Sequence, residues 1–364
     1  MVVSLLSIGT AVPRNVLPQE RARDFFAAQD GIGRLAGRLI HAAFDQSGID
    51  TRHTAVAHVD GDPTGIFVED GVRLLAPSTG TRNEVYRREA PELYRAAAVD
   101  ALARAGLQAT DITHVITVSC TGFFAPGPDF RLVKDLGIPS SAERTHIGFM
   151  GCAAALPGLR AAARFAAAQP GSNVLVVCAE LCSLHIRSSS DPEQIVASAV
   201  FADGAAAAVI SSSGVTAPGA TLDVGTFATT LTSEGEADMD WAIGDEGFRM
   251  VLTANVPKIV GREVRGVFPR DSYPAADFDA WAVHPGGRSI LDRVQSGLEL
   301  SDEAMGPSRE VLRKYGNMSS ATVLFILQRI LDDHGVADGA RVKALAFGPG
   351  LTVESAEFVK RDAA

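Results

Sequence analysis

Cysteine is scarce in this chain: Cys120, Cys152, Cys178 and Cys182 are the only four among 364 residues. That is too few for a disulfide framework at this length. Cys178 and Cys182 have no second pair near them, which argues against a zinc site. No apolar stretch approaches the ~18 uninterrupted residues of a membrane-crossing helix. Positive charge is in deficit, with 33 Lys and Arg against 43 Asp and Glu and a net charge of −10. A general nucleic-acid surface is therefore not expected, although a few local arginines could still hold an anionic ligand. The start, Met1 to Thr10, has no basic leader and reads as a first strand, not a signal peptide. These absences lead to the expectation of a soluble cytoplasmic protein with no metal.

The composition, 46% hydrophobic and 21% charged, is ample for a large core. Short apolar runs alternate with helical patterns. Strands are read at 2–8, 112–119, 173–180, 205–211, 279–283 and 342–347. Helices are read at 19–26, 34–47, 83–105, 129–136, 193–201, 289–298 and 318–331. This alternation predicts an α/β fold with a largely parallel, covered sheet. The second half repeats the order of the first in weaker form. An internal duplication follows, with halves 1–215 and 216–364 and a break near 212–220.

The organising stretch runs from Thr145 to Arg160 around Gly151-Cys152. The pattern reads as a buried strand turning into an alanine-rich helix, with Cys152 at the turn. Unpaired N–H groups and the positive end of the helix dipole favour a thiolate, so the thiol pKa should fall below its free value of about 8.5. The same pattern also fits a small buried cysteine with no chemistry. Gly316-Asn317 opens a helix in the second half as Gly151-Cys152 does in the first. His284 ends an apolar strand before Pro285-Gly286-Gly287, so its ring faces a cleft; it is the best base for a nucleophilic cysteine. His185 is its rival. Asn317 fits an ordinary helix cap, and equally an N–H donor to an oxyanion. Gly348-Pro349-Gly350 lacks the Lys-Ser/Thr of a phosphate loop and reads as a turn that keeps space open.

Several segments resemble the chalcone synthase family, the type III polyketide synthases. They are Gly316-Asn-Met-Ser-Ser-Ala-Thr-Val-Leu-Phe-Ile-Leu327, Ala346-Phe-Gly-Pro-Gly-Leu-Thr-Val-Glu354, Arg309-Glu-Val-Leu312 and His284-Pro-Gly-Gly287. In the first half Cys120-Thr-Gly122, Gly151-Cys-Ala153 and Val200-Phe-Ala-Asp-Gly204 fall in the family's order. The resemblance implies a thiolase fold, five layers αβαβα built from two similar halves, and a homodimer with residues 123–127 near the interface. It implies a catalytic Cys152, His284 and Asn317, and a gatekeeping Phe201. Cys120, Thr121, Cys182, Ala197, Met250, Ser319, Gly286 and Pro349 map onto substrate-lining positions. The implied reaction joins an acyl-CoA starter to malonyl-CoA by decarboxylative Claisen condensation, without cofactor. An initiation-type 3-ketoacyl synthase fed by acyl carrier protein is the alternative, and a non-enzymatic scaffold of the same fold a distant third.

The chain also departs from the family. Cys120 and Cys182 stand where plant chalcone-forming members have threonine. Met250 stands at a second gatekeeper phenylalanine, and Ala125 at a methionine that reaches into the partner. Residues 39–50 lack the basic side chains that grip the CoA phosphates in plant members, leaving Arg288, Lys258 or Arg52 as candidates. Small pocket residues and a flexible Met250 point to a medium- or long-chain fatty acyl starter and pyrone or resorcinol products. Ala125-Pro126 is a candidate cis peptide.

Overall fold

A computed structural model describes residues 2–56, 64–268 and 274–363. Its main sheet has nine strands. In spatial order they are Ala280–Val283, Arg341–Gly348, Thr352–Arg361, Thr221–Leu231, Ser4–Ala11, Asp203–Ser211, Asn173–Leu181, His114–Ser119 and Glu143–Gly148. The two halves meet where Ser4 and Leu5 pair with Asp223 and Leu222. Outward from that seam each half follows one scheme. An opening strand pairs antiparallel with a closing strand, then comes an antiparallel inner strand, then a parallel outer one. The first half adds Glu143–Gly148 as a further parallel strand at its edge.

The sheet is therefore mixed, and the expected parallel majority is corrected. Only the ladders of 280–283 with 341–348, and of 114–119 with its two neighbours, are parallel. The turn at Pro349 to Leu351 returns the chain directly onto its own strand, and a connection that short permits only antiparallel pairing.

Strand residues alternate between two buried faces, as the two-residue period of a strand requires. Leu175, Val177 and Ala179 pack toward the helix Thr79–Ala105, while Val174, Val176 and Cys178 pack toward the opposite face. In the second half Trp281, Val283 and Leu345 join the helices Arg288–Leu298 and Asp302–Tyr315, while Ala282, Ala344 and Ala346 face the other way. Two helices form the middle layer. Ala155–Ala168 touches strands 114–119, 173–181 and 203–211 of its own half and 221–231 and 352–361 of the other. Thr322–Asp332 touches strands of both halves in the same way. The result is the five-layer αβαβα thiolase architecture. Each fully buried Val or Leu contributes roughly 1.5–3 kcal/mol, so this twice-covered middle is the most strongly held part of the molecule.

Outside the main sheet, Met239–Gly244 and Gly247–Leu252 form a separate antiparallel hairpin. Ala125-Pro126 is cis, as expected. Among the described residues no helix is long and apolar enough to cross a membrane.

Candidate active site

Cys152 and Asn317 sit at matching places, just ahead of the two middle-layer helices. Neither opens its α-helix directly, which corrects the expected geometry. Cys152 lies in a 3-10 turn, Gly151–Ala153, and Asn317 precedes another, Ser319–Ala321. Each follows a glycine in the left-handed region, Gly151 at φ +63° and Gly316 at φ +71°. A Cβ on Gly151 would lie 2.4 Å from Pro349 Cδ; on Gly316 it would lie 3.0 Å from Arg52 Cγ and 3.1 Å from the Val200 carbonyl. Both sites need glycine for conformation and for room.

The Asn317 amide is held one way round. Its Oδ1 accepts from the Ser319 N–H at 2.9 Å. Its Nδ2 reaches the Gly286 carbonyl at 3.5 Å, and both amide atoms lie 3.9 Å from Cys152 Sγ. His284 ends its strand, donates its backbone N–H to Leu345 and is fully buried. Neither of its ring nitrogens has a hydrogen-bond partner among the described residues. The rival, His185, is fully engaged. Its Nε2 donates to the Thr121 carbonyl at 2.7 Å, its Nδ1 accepts from the Phe248 N–H at 3.0 Å, and its ring stacks on Phe248 at 4.1 Å. His185 is thus a structural histidine, and the free imidazole at the site is His284.

Burial works against the expected resting thiolate. Burial pushes the Cys152 thiol up to about 11, against opposing hydrogen bonds from Ser319, from Asn317 and from the backbone; the Glu180 carboxylate adds to the rise. Burial pushes His284 down to about 3. In this state the pair is a neutral thiol beside a neutral imidazole. Cys120 and Cys182 are held still less acidic, by burial and by Glu180.

Glu180 escaped the sequence reading. It is fully buried and accepts from Ser119 Oγ, the Cys120 N–H, Thr121 Oγ1 and Ser320 Oγ at 2.5–3.2 Å. Cys120 Sγ lies 3.5 Å from Glu180 and 3.3 Å from Ser319 Oγ. Burial raises the Glu180 pKa, and these donors oppose the rise. A Glu ending an apolar strand between Ala179 and Leu181 was the signal available in the sequence.

All twelve residues singled out in advance line one of two connected cavities. The outer one, about 870 Å³, is bordered by Cys152, Phe201, Met250, His284, Gly286 and Asn317. The inner chamber, about 40 Å³ by the same measure, is bordered by Cys120, Thr121, Cys182, Ala197, Ser319 and Pro349. Cys152, Phe201 and Met250 border both, and so does Met239, which the sequence did not flag. Trp241 was missed as well. It stands in the inner chamber and donates Nε1–H to the Cys120 carbonyl at 2.6 Å. Lys258, Arg288 and Arg293 border the outer cavity. Arg52 does not; it is buried behind Phe201. Among the described residues no group of three or more His, Cys, Asp or Glu could hold a metal.

Family models describe the same molecule. Residues 2–214 match the N-terminal domain of chalcone and stilbene synthases, and residues 224–360 match the C-terminal domain. Probable polyketide synthase 1 of Dictyostelium discoideum is 30% identical over 359 residues; the match takes in 96% of this chain but only 11% of that protein's length. The crystal structure of the C-terminal type III polyketide synthase domain of Steely1, a type I/III hybrid from Dictyostelium, superposes with a TM-score of 0.88 at 28% identity over all of both chains. 1,3,6,8-Tetrahydroxynaphthalene synthase from Streptomyces coelicolor A3(2) superposes with a TM-score of 0.85 at 31% identity, covering 99% of this chain and all of the other. On this evidence the chain belongs to the chalcone and stilbene synthase family.

Proposed function

We propose that the enzyme extends a medium- or long-chain fatty acyl-CoA with malonyl-CoA and cyclises the product to a pyrone or resorcinol. The observation that carries the reaction is the meeting of Cys152, the unpartnered His284 and the oriented Asn317 amide at one cavity. His284 takes the Sγ proton as Cys152 attacks the starter thioester; CoA leaves with a proton, and the acyl group stays on sulfur. Malonyl-CoA then binds with its thioester oxygen toward His284 and Asn317. Loss of CO2 leaves the bonding pair as an enolate, and these donors stabilise the charge as it develops. The enolate carbon attacks acyl-Cys152, forming the new C–C bond and releasing the sulfur. The β-ketoacyl-CoA reloads for further rounds. Phe201 keeps water from the carbanion. The chemistry needs neither metal nor organic cofactor.

At the mouth Lys258, Arg288 and Arg293 meet the CoA phosphates. Lys258 and Arg293 form no ion pair among the described residues, and Arg288 has only a 3.8 Å contact to Asp292. The starter's alkyl chain enters the inner chamber past Met250, with Trp241 and Met250 swinging aside to admit it. The enzyme works in the cytoplasm as a homodimer. Support for the dimer comes from the exposed edge strand Glu143–Gly148 and the exposed Phe123, Phe149 and Met150 beside it, an unpaired edge and apolar patch that a second copy would cover.

Radiolabelled malonyl-CoA supplied with a panel of acyl-CoA starters tests the whole. CoA-dependent triketide or tetraketide products are expected, best with long-chain starters. Strict dependence on acyl carrier protein, a preference for acetyl-CoA or an aromatic starter, or no turnover would each overturn its part.

A further inference from the structure

The helix Pro192–Val200 ends at the gatekeeper, and its end is unusually well accounted for. The last four carbonyls of a helix lack partners within it. Here Ala197 receives the Phe201 N–H at 3.1 Å and Val200 receives the Asn317 N–H at 2.9 Å. Ala199 receives the buried Gln19 amide at 2.8 Å. Ser198 receives Arg52 Nη1 at 2.7 Å, and the same nitrogen donates to the carbonyl of Phe201 at 2.8 Å. Just beyond, the Ala202 N–H returns to the Asn317 carbonyl at 2.9 Å, so Phe201 and Asn317 form a parallel backbone bridge.

Arg52 therefore grips the segment that carries both functional residues. It comes from the strand Thr51–Thr54, is 4% exposed, and lies over the Phe44 ring. Its nearest counter-charge is Asp203, whose oxygens are already taken by the Ala55 N–H, the Ser183 N–H and Ser183 Oγ. Its Nε and Nη2 have no hydrogen-bond partner among the described residues. A buried, incompletely paired guanidinium opposes folding. Fold stability alone does not explain it, since a well-packed apolar side chain would hold the same layers together. What an apolar side chain would not do is hold two carbonyls at once with one nitrogen, beside a glycine, Gly316, whose missing Cβ makes the space for the arginine stem.

We propose that Arg52 is a positioning residue that sets the Asn317 amide and the Phe201 ring as one unit. It touches no substrate. By fixing carbonyls 198 and 201 it fixes the bridge to Asn317, and through it the donor that meets the enolate. The inference rests on the donor role given to Asn317 above. Cys152 hangs on a different turn, so starter loading does not depend on Arg52.

The test separates loading from condensation. Arg52→Met and Arg52→Lys are compared with wild type by mass spectrometry of acyl-Cys152, by acetyl-CoA release from malonyl-CoA, and by product formation. Arg52→Met should load starter within about twofold of wild type yet lose roughly 30–100-fold in condensation, the scale of a small misplacement of a catalytic group. Acetyl-CoA release from malonyl-CoA should fall along with condensation, since both need the Asn317 donor, while loading holds. Arg52→Lys, which keeps a charged donor, should recover about tenfold of the loss. If Arg52→Met does not fold, Arg52→Lys alone must show the same selective pattern. An equal fall in all three measurements, or none, overturns the proposal. A wild type that neither loads nor decarboxylates would defeat the assigned roles themselves, and this inference with them.

Discussion

The turn that carries Cys152 and the turn that carries Asn317 are built alike. Each has a left-handed glycine, then the functional residue, then a 3-10 turn, then a buried helix of the middle layer. They differ in what surrounds the side chain. The Cys152 thiol borders both cavities, and its burial opposes a charge on it. The Asn317 amide is pinned by Ser319 and borders the outer cavity only. One turn geometry therefore occurs twice, and the side chain it carries and the packing around it differ between the two.

The sharpest way to break this comparison is to remove each side chain in turn. Cys152→Ala should abolish product formation, by at least about 10³-fold, yet still convert malonyl-CoA to acetyl-CoA. Asn317→Ala should slow that decarboxylation by about 10²–10³, the usual loss for one oxyanion donor. His284→Ala should damage both steps. Acetyl-CoA release by a Cys152→Ala variant with a native circular dichroism spectrum decides the matter. Its absence would show that the two turns do not divide the reaction.

A second experiment addresses the neutral state of the pair. Only the thiolate is alkylated, and a thiol held near 11 is protonated throughout the neutral range. Iodoacetamide should therefore modify Cys152 about tenfold faster per pH unit from 6 to 8, roughly 100-fold in all. A resting ion pair would make the rate flat there. The slope is best read by mass spectrometry at Cys152 in enzyme free of substrate.

The smallest effect expected is on stability. Gly151→Ala and Gly316→Ala each force a Cβ into the left-handed region and into contacts of 2.4 and 3.0 Å. Each should cost about 1–3 kcal/mol and lower Tm by a few degrees. Gly151→Ala should cost more, because the clash with Pro349 is closer. Equal or negligible shifts in Tm would show that the turns are softer than they look.

Much of this was legible in the residues. Long periodic elements such as Thr79–Ala105 and Asn173–Leu181 announce themselves through unbroken apolar patterns. Cys120, Cys152, His284 and Asn317 reach the two cavities from strand ends and helix approaches, where short motifs mark them, whereas Ala197 and Met250 lie inside a helix and a strand. The strands Thr221–Leu231 and Thr352–Arg361 went unread, since the first is half exposed and mixes Gly and Thr into its pattern. Parallel pairing was over-called because strand direction depends on connections, which apolar runs do not encode. The burial that raises the Cys152 thiol is a property of the whole assembly, which the local turn pattern does not encode. Arg52 and Trp241 were overlooked or misplaced for a related reason: each acts across more than a hundred residues of chain, on Phe201 and on Cys120.

Trp241 belongs to the hairpin 239–252, which forms no ladder with the nine-stranded sheet. Part of the wall of the inner chamber is thus carried by an element outside the main ladder. Met239 and Met250 of the same hairpin also border the outer cavity beside Cys152, so one two-stranded element faces both spaces. A substitution in its strands is therefore felt in both at once.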